Sequence, residues 1–297
     1  MAGSIAERVY HLKRSRWSVL AGVLPILSVY VALLVIPMLL LGQFSLYRKL
    51  TGEMGQVVLI REVSLANYAK FLASPFYFRI LKDTLVMALT VTGLCVLLGY
   101  PVAFSLSRAR RWKGILYLLV LAPFFVSVVI RTYGWMVILG HNGLVNWLLL
   151  ASGLVTAPVP LIYNYTGILI GVTHIMLPYM VITLEAVLRK IDRSLIEAAQ
   201  GLGANPWQAF SRVIFPLSLP GLLAGSLLVF ALSVSIFTTP SLMGGGRIHL
   251  MSTIIYEETM GQVNWPSGAM LAWVLLVTTL AVLGLSQLAA RRFEWRR

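Results

Sequence analysis

Six stretches of this sequence stay apolar for about 20 residues each, the length a helix needs to cross a bilayer. They fall at about 18–41, 83–107, 115–139, 164–187, 217–240 and 268–290. Lipid offers the backbone no hydrogen-bond partner, so an isolated apolar stretch in it is satisfied only as a helix. Composition agrees: 59% of the 297 residues are hydrophobic and 11% are charged, against about 25% charged in a soluble domain. The expectation is an all-α, polytopic membrane protein with six transmembrane helices. The fourth stretch is the weakest, because it carries His174, Pro178 and Glu185. The first is too long for a signal-peptide core and no small-residue cleavage site follows it, so it reads as an uncleaved span.

Charge sets the direction of the spans. Lys and Arg concentrate in the N-terminus (Arg8, Lys13, Arg14, Arg16), after the second span (Arg108, Arg110, Arg111, Lys113), after the fourth (Arg189, Lys190, Arg193, Arg212) and in the tail (Arg291, Arg292, Arg296, Arg297). By the positive-inside rule these segments and both termini are cytoplasmic. Residues 1–17 then form a cytoplasmic N-terminus, 18–290 the six-span domain with a cytoplasmic loop at 188–216, and 291–297 a cytoplasmic tail. The net charge of +14 is thus a topology signal and a contact to anionic membrane lipid, and nucleic acid is not expected as a partner. The single Cys95 permits no intrachain disulfide. Pro101, Pro123, Pro178, Gly93, Gly99, Gly134 and Gly171 within the spans serve either as kinks along a path or as close packing contacts.

Between the fourth and fifth spans lies SLIEAAQGLGANPWQAFSRVIFP (194–216), small, polar and punctuated. Ser194 with Glu197 has the spacing of a capping box, and Asp192 is a rival N-cap. Ala198 and Ala199 favour helix, Gly201 weakens it, and Gly203 fits the left-handed position that ends one. Asn205 can cap a second helix with Pro206 at its first position and Gln208 closing another box. The residues alone allow two readings of this helix pair: a lever on which a cytoplasmic protein docks, or a well-capped connection.

Other polar residues are candidates for substrate or partners. Arg131 is the costliest residue in the spans and reads as functional by default, with snorkelling to the outer headgroups as its rival. Asp83 could pair with it as a gate. Tyr133, Trp135 and Trp265 could offer ring faces to a cation, or belong to the interfacial belt. Glu257 and Glu258 read as a solvated acidic face on the outer side, where a binding protein would dock. His174 reads as a hydrogen-bonded bundle residue. Residues 63–83 have helical apolar spacing and are expected along the outer surface, and 143–160 as a short outer helix ended by Pro158 and Pro160. No phosphate loop, catalytic motif or metal-ligand spacing is present, and Gly244–Gly246 reads as a turn. No catalytic residue, cofactor or metal is therefore assigned to this chain.

Glu197-Ala198-Ala199, then Gly203, then Val213-x-Phe215-Pro216 resembles the EAA motif of ABC importer permeases, with Val and Phe where the motif has Ile and Leu. The stretches 130–149, 237–247 and 264–276 resemble the spermidine/putrescine subfamily of those permeases. The resemblance covers nearly the whole chain. It implies the type I importer transmembrane fold (MetI-like) in the bacterial inner membrane. It also implies a second homologous permease subunit, two ATP-binding subunits that hold ATP and Mg, and a periplasmic substrate-binding protein. Glu197, Ala198, Ala199, Gly201, Gly203, Asn205 and Pro206 would then dock the ATPase, with Gly203 making the turn. Importers of opines, amino acids or other small solutes remain the alternative within the class. From other classes, a stand-alone secondary transporter or channel would need mid-span acids or inverted repeats, neither of which is visible, and a membrane anchor for a cytoplasmic enzyme would need no gated cavity.

Overall fold

The computed structural model describes residues 16–51, 57–60, 62–109 and 111–294. The cations Arg8, Lys13, Arg14, Arg61, Arg110, Arg296 and Arg297 lie outside them. The first apolar stretch forms α1 (Arg16–Tyr30), a π turn at Val31–Val35 and α2 (Ile36–Ser45). A short antiparallel hairpin follows, β1 (Arg48–Thr51) on β2 (Val57–Ile60), with Arg48 opposite Ile60. Helices α3 (Ala66–Ala73), α4 (Pro75–Arg108), α5 (Lys113–Leu121), α6 (Val128–Leu139) and α7 (Leu144–Ala151) lead to α8 (Tyr165–Leu188). Then come α9 (Arg193–Gly201), α10 (Pro206–Ala209), α11 (Phe215–Ser235), α12 (Thr238–Met243), α13 (Met251–Tyr256) and α14 (Trp265–Glu294). Among the described residues six helical stretches are long and apolar enough to span: Gly22–Ser45, Pro75–Arg108, Val128–Ala151, Tyr165–Leu188, Pro206–Ser235 and Trp265–Leu288. The architecture is an all-α bundle, and the hairpin is its one strand pair among these residues.

Two boundaries differ from the sequence reading, and proline explains both. The apolar segment 63–83 is not one surface helix. It breaks at Ser74, which is extended at φ −101° and ψ 112°, because a following proline pushes a residue out of the α region. Pro75 then opens α4, so this helix begins well before residue 83. The third span is not continuous over 115–139 either. After α5 the chain passes through a 3₁₀ turn at Ala122–Phe125 and an extended Val126 before α6 starts. Pro123 lacks the N–H and clashes with the preceding turn, which an α-helix cannot absorb without a bend. The height of Arg131 therefore does not follow from counting helical rise from Ile115. The outer helix expected at 143–160 is α7, which stops at Ala151, short of both prolines.

The core runs along α8, which lies against α4 and α11. Of its apolar window, 61% is buried inside the chain, whereas none of the first span's is. Small residues make this approach possible. A methyl group at Gly99 would sit 2.9 Å from Met180 Cγ, and one at Gly225 2.8 Å from Met180 Sδ. Gly171 meets Met243 in the same way, while Gly93 and Gly134 face open space. The first span packs only at its end, where Gly42 of α2 faces the Trp273 ring of α14. Between the fifth and sixth spans α12 and α13 fold back into the bundle. Met251 there is fully buried and its N–H donates to Thr84 Oγ1 of α4 at 2.9 Å.

Candidate functional site

The two-helix loop is built by its own caps. Asp192, not Ser194, is the N-cap of α9: its carboxylate accepts from the Ser194 N–H at 3.0 Å. The Ser194–Glu197 box is not used, because the chain already bends into helix one position earlier. Those Ser194 hydrogen bonds hold the exposed Asp192 carboxyl below the usual carboxylate range. At the other end Gly203 N–H donates to Gln200 O at 2.9 Å and Ala204 N–H to Ala199 O at 3.0 Å. That bond pair is a Schellman closure, and it needs Gly203 at φ +88°. Asn205 and Gln208 then exchange two bonds, at 2.8 and 3.0 Å, in a complete capping box with Pro206 at the first helical position.

The loop is fastened to the bundle on one side and bare on the other. Ile191 and Ile214 join Ala103, Leu106, Leu184 and Leu188 in one apolar cluster, against which Ile196 and Phe210 pack. The outward side presents Glu197, Ala198, Gly201 and Gly203, all exposed. It also presents two large apolar residues that the sequence reading did not place on the docking face: Leu202 is 91% exposed and Trp207 is 71% exposed. A signal for them existed, because each is a large apolar residue beside a cap, where no neighbouring turn covers it. A displacement of this face would be carried through the apolar cluster to α4, α8 and α11.

Arg131 sits on α6 in a different setting. Its Nε and Nη1 are buried without a hydrogen-bond partner, as is Nδ1 of His174 on α8. Trp135, one turn along from Arg131, meets the His174 ring edge to face at 5.4 Å. The expected His174 hydrogen bond is thus missing at that nitrogen. Asp83 does not close a gate with Arg131: its ion pair is with Arg79, one helical turn away at 3.9 Å. Tyr133 is turned away and half exposed, and Trp265 at the start of α14 is likewise half exposed. The candidates Arg131 and Trp135 therefore come together with His174, which the sequence reads as a bundle residue, and Asp83, Tyr133 and Trp265 do not join them.

The acidic pair splits. A π turn at Glu257–Gly261 rotates the two side chains apart. Glu257 stays half exposed with His249 Nδ1 at 4.0 Å. Glu258 is only 7% exposed, accepts from Asn264 Nδ2 at 2.8 Å and lies 3.4 Å from the Tyr77 hydroxyl. It is a buried tie between α4 and the segment that joins α13 to α14, not half of a solvated face. Among the described residues no three His, Cys, Asp or Glu side chains converge as metal ligands.

Known proteins share this fold. A chain of the bacterial alginate ABC transporter, solved in complex with an alginate pentasaccharide-bound periplasmic protein, superposes with a TM-score of 0.74 over 96% of this chain and 98% of its own, at 18% identity. That likeness concerns the fold. The spermidine/putrescine transport system permease protein PotB of Haemophilus influenzae is 36% identical over 208 residues, 70% of this chain and 72% of its own. PotB of Escherichia coli K12 is 36% identical over 223 residues, 75% of this chain and 79% of its own. The model of the family described as binding-protein-dependent transport system inner membrane component matches residues 2–295. No span and no part of the loop falls outside that match, and the chain belongs to this family of inner-membrane transport components.

Proposed function

We propose that the chain carries an alkyl polyamine of the spermidine or putrescine type into the cytoplasm, as one of two permease subunits in an ATP-driven importer. The observation that carries the substrate class is 36% identity to spermidine/putrescine permeases across 75% of the chain. The mechanism uses the loop. Two ATP-binding subunits hold ATP and Mg, and this chain contributes no cofactor. Closure of the ATPases presses on Glu197, Ala198, Ala199, Gly201, Gly203, Asn205 and Pro206, and the apolar cluster under the loop passes the movement to α4, α8 and α11. A periplasmic protein delivers the substrate on the opposite face, where Glu257 is a half-exposed carboxylate available to it. The termini and the loop at 188–216 are cytoplasmic in this reading, which the placement of Lys and Arg supports.

One observation favours a second substrate class. Arg131 and His174 bring unpartnered nitrogen atoms together, an arrangement suited to the carboxylate of an opine, an amino acid or another small solute. The experiment is co-purification in mild detergent with mass spectrometry, followed by uptake of labelled putrescine and spermidine into proteoliposomes loaded with ATP. An ATPase, a second permease and saturable polyamine uptake are expected, with the ATPase released by Glu197→Arg. A chain that comes out alone and transports without ATP would overturn the importer reading. ATP-driven uptake of an amino acid but no polyamine would move the substrate to the second class.

A further inference from the structure

An open cavity of about 440 Å³ lies where the last turn of α4 meets α9, α10 and the π turn at Phe210–Ile214. That volume is in the range of small-ligand sites. Arg108, the last residue of α4, lines it, and the Arg108 guanidinium lies 5.8 Å from the centre of the Phe104 ring. From α9 come Arg193, Ile196, Glu197 and Gln200, at the three- and four-residue spacing of one helix face. The rest of the lining is mainly apolar: Phe104, Phe210 and Ile214 belong to the cluster that seats the loop.

The charges of this cavity are unanswered. Among the described residues the ion pairs are Arg79 with Asp83 and His249 with Glu257. Neither Arg108 nor Arg193 takes part, although Glu197 is one helical turn from Arg193. Nη2 of Arg108 is buried with no hydrogen-bond partner, and a buried charged donor left unanswered is costly. Arginine is the side chain whose planar fork matches a phosphate. Two guanidiniums and one carboxylate leave the lining a single net positive charge. That suits a singly charged phosphodiester carrying hydroxyls, which can donate to Glu197 and to the Gln200 carbonyl. Position selects the source of the phosphodiester. Leu98, Pro101, Ser105 and Arg108 follow at three- and four-residue steps along α4, and the first three are exposed. With the exposed Leu97 and Val102 they form a mostly apolar track that runs from the cavity along the span. A free phosphate makes no use of such a track, whereas an acyl chain does. Basic pockets at the cytoplasmic ends of spans bind anionic headgroups.

We propose that this cavity is a binding site for one anionic phospholipid of the phosphatidylglycerol type, with its phosphate between Arg108 and Arg193 and an acyl chain along Leu98 and Pro101. A lipid seated there ties α9 to the end of α4, so that loop and span move together. The choice of leaflet rests on the cytoplasmic placement of the loop proposed above.

The test uses the full chain, with whatever subunits remain on it, purified in mild detergent. Lipid retention is read by native mass spectrometry against added phosphatidylglycerol, phosphatidylethanolamine or phosphatidylcholine. Retention is read on this chain itself, so the result is independent of the importer reading. One cation at a membrane surface corresponds to roughly fivefold in affinity. Arg108→Gln and Arg193→Gln are each expected to weaken phosphatidylglycerol retention by about that factor or more, and the double variant to bring it down to the level of phosphatidylcholine. Arg108→Lys keeps the charge and loses the fork, so it should fall between wild type and Arg108→Gln. Arg212→Gln, exposed on the same loop but outside the cavity, should stay close to wild type. Phosphatidylglycerol should also raise the thermal midpoint of the wild type more than inorganic phosphate does. Equal retention of the three lipids by the wild type would overturn the site. A loss in Arg212→Gln as large as that in Arg108→Gln would do the same, by making the attraction diffuse. A midpoint rise as large from inorganic phosphate alone would make this a free-anion site instead. Unchanged lipid retention in the double variant, with an ATPase or second permease lost from it, would give the two arginines to a protein contact.

Discussion

The helix pair at 192–216 and the polar group around Arg131 are both exceptions in an apolar chain, and they are built in opposite ways. In the loop nearly every polar group that forms the turn is answered from within: Asp192 caps Ser194, Gly203 and Ala204 close the first helix, and Asn205 and Gln208 cap each other. What it leaves outward is a bare face with Leu202 and Trp207 standing on it. Around Arg131 the reverse holds: three nitrogens of Arg131 and His174 are buried and unanswered. A buried charged donor without a partner costs more than the hydrogen bond it could make. The loop is finished as a part and awaits a surface, whereas the Arg131 group is unfinished and stores a cost that a second subunit, water or a passing solute could relieve.

The sharpest way to break this comparison is at the turn. Gly203 holds φ +88°, and proline is locked near −65° and lacks the N–H that Gly203 donates to Gln200 O. Gly203→Pro should leave the spans inserted but destroy the angle between α9 and α10, lowering uptake more than tenfold while the ATPase subunits still hydrolyse ATP. Gly203→Ala should fall between, since a methyl group there meets nothing within 4 Å and only the left-handed backbone costs, roughly 1–2 kcal/mol. The ratio of solute moved to ATP hydrolysed is the readout. Normal coupling in Gly203→Pro would reduce the loop to a connection.

Arg131 sharpens the other side. Replacing even a buried ion pair with apolar residues of similar volume is often neutral or stabilising, by about 1–4 kcal/mol, and an unpartnered buried charge has no pair energy to lose. Arg131→Met is therefore expected to hold or raise the thermal midpoint of the purified protein and to lower uptake several-fold. A lower midpoint with unchanged uptake would give Arg131 a structural role, with partners met only in the assembled importer or in lipid.

These two regions also mark how far the sequence could be read. Spans and caps are local: an apolar stretch of about 20 residues and a Gly203 before Asn205-Pro206 carry their own instructions. Position within the bundle is not local. The polar and kinking residues of 164–187 make it read as the weakest span, yet α8 is the most buried, and its His174, Pro178 and Glu185 are polar or kinked because they face protein rather than lipid. Glu257 and Glu258 are adjacent in sequence and look like one face, but a single π turn buries one and exposes the other. The mostly apolar groove between Ala231, Ile255 and Leu275 draws on α11, α13 and α14 at once, so no one segment announces it.

The smallest expected effect tests whether the loop's order comes from its own caps. Asp192 is fully exposed and its carboxyl is held below the ordinary value by the Ser194 bonds, backbone bond first. A depressed carboxyl contributes order that is present above the unfolded value, near pH 4, and is lost as pH falls through the folded value. Hydrogen exchange of residues 193–196 should therefore be faster in Asp192→Ala than in wild type at neutral pH. The two should converge only as pH falls through the depressed folded value, below the ordinary carboxylate range, where the wild-type carboxylate becomes protonated and accepts less well. Equal protection at neutral pH would mean that the apolar seat of Ile191 and Ile196 orders the first turn, and that the cap is incidental.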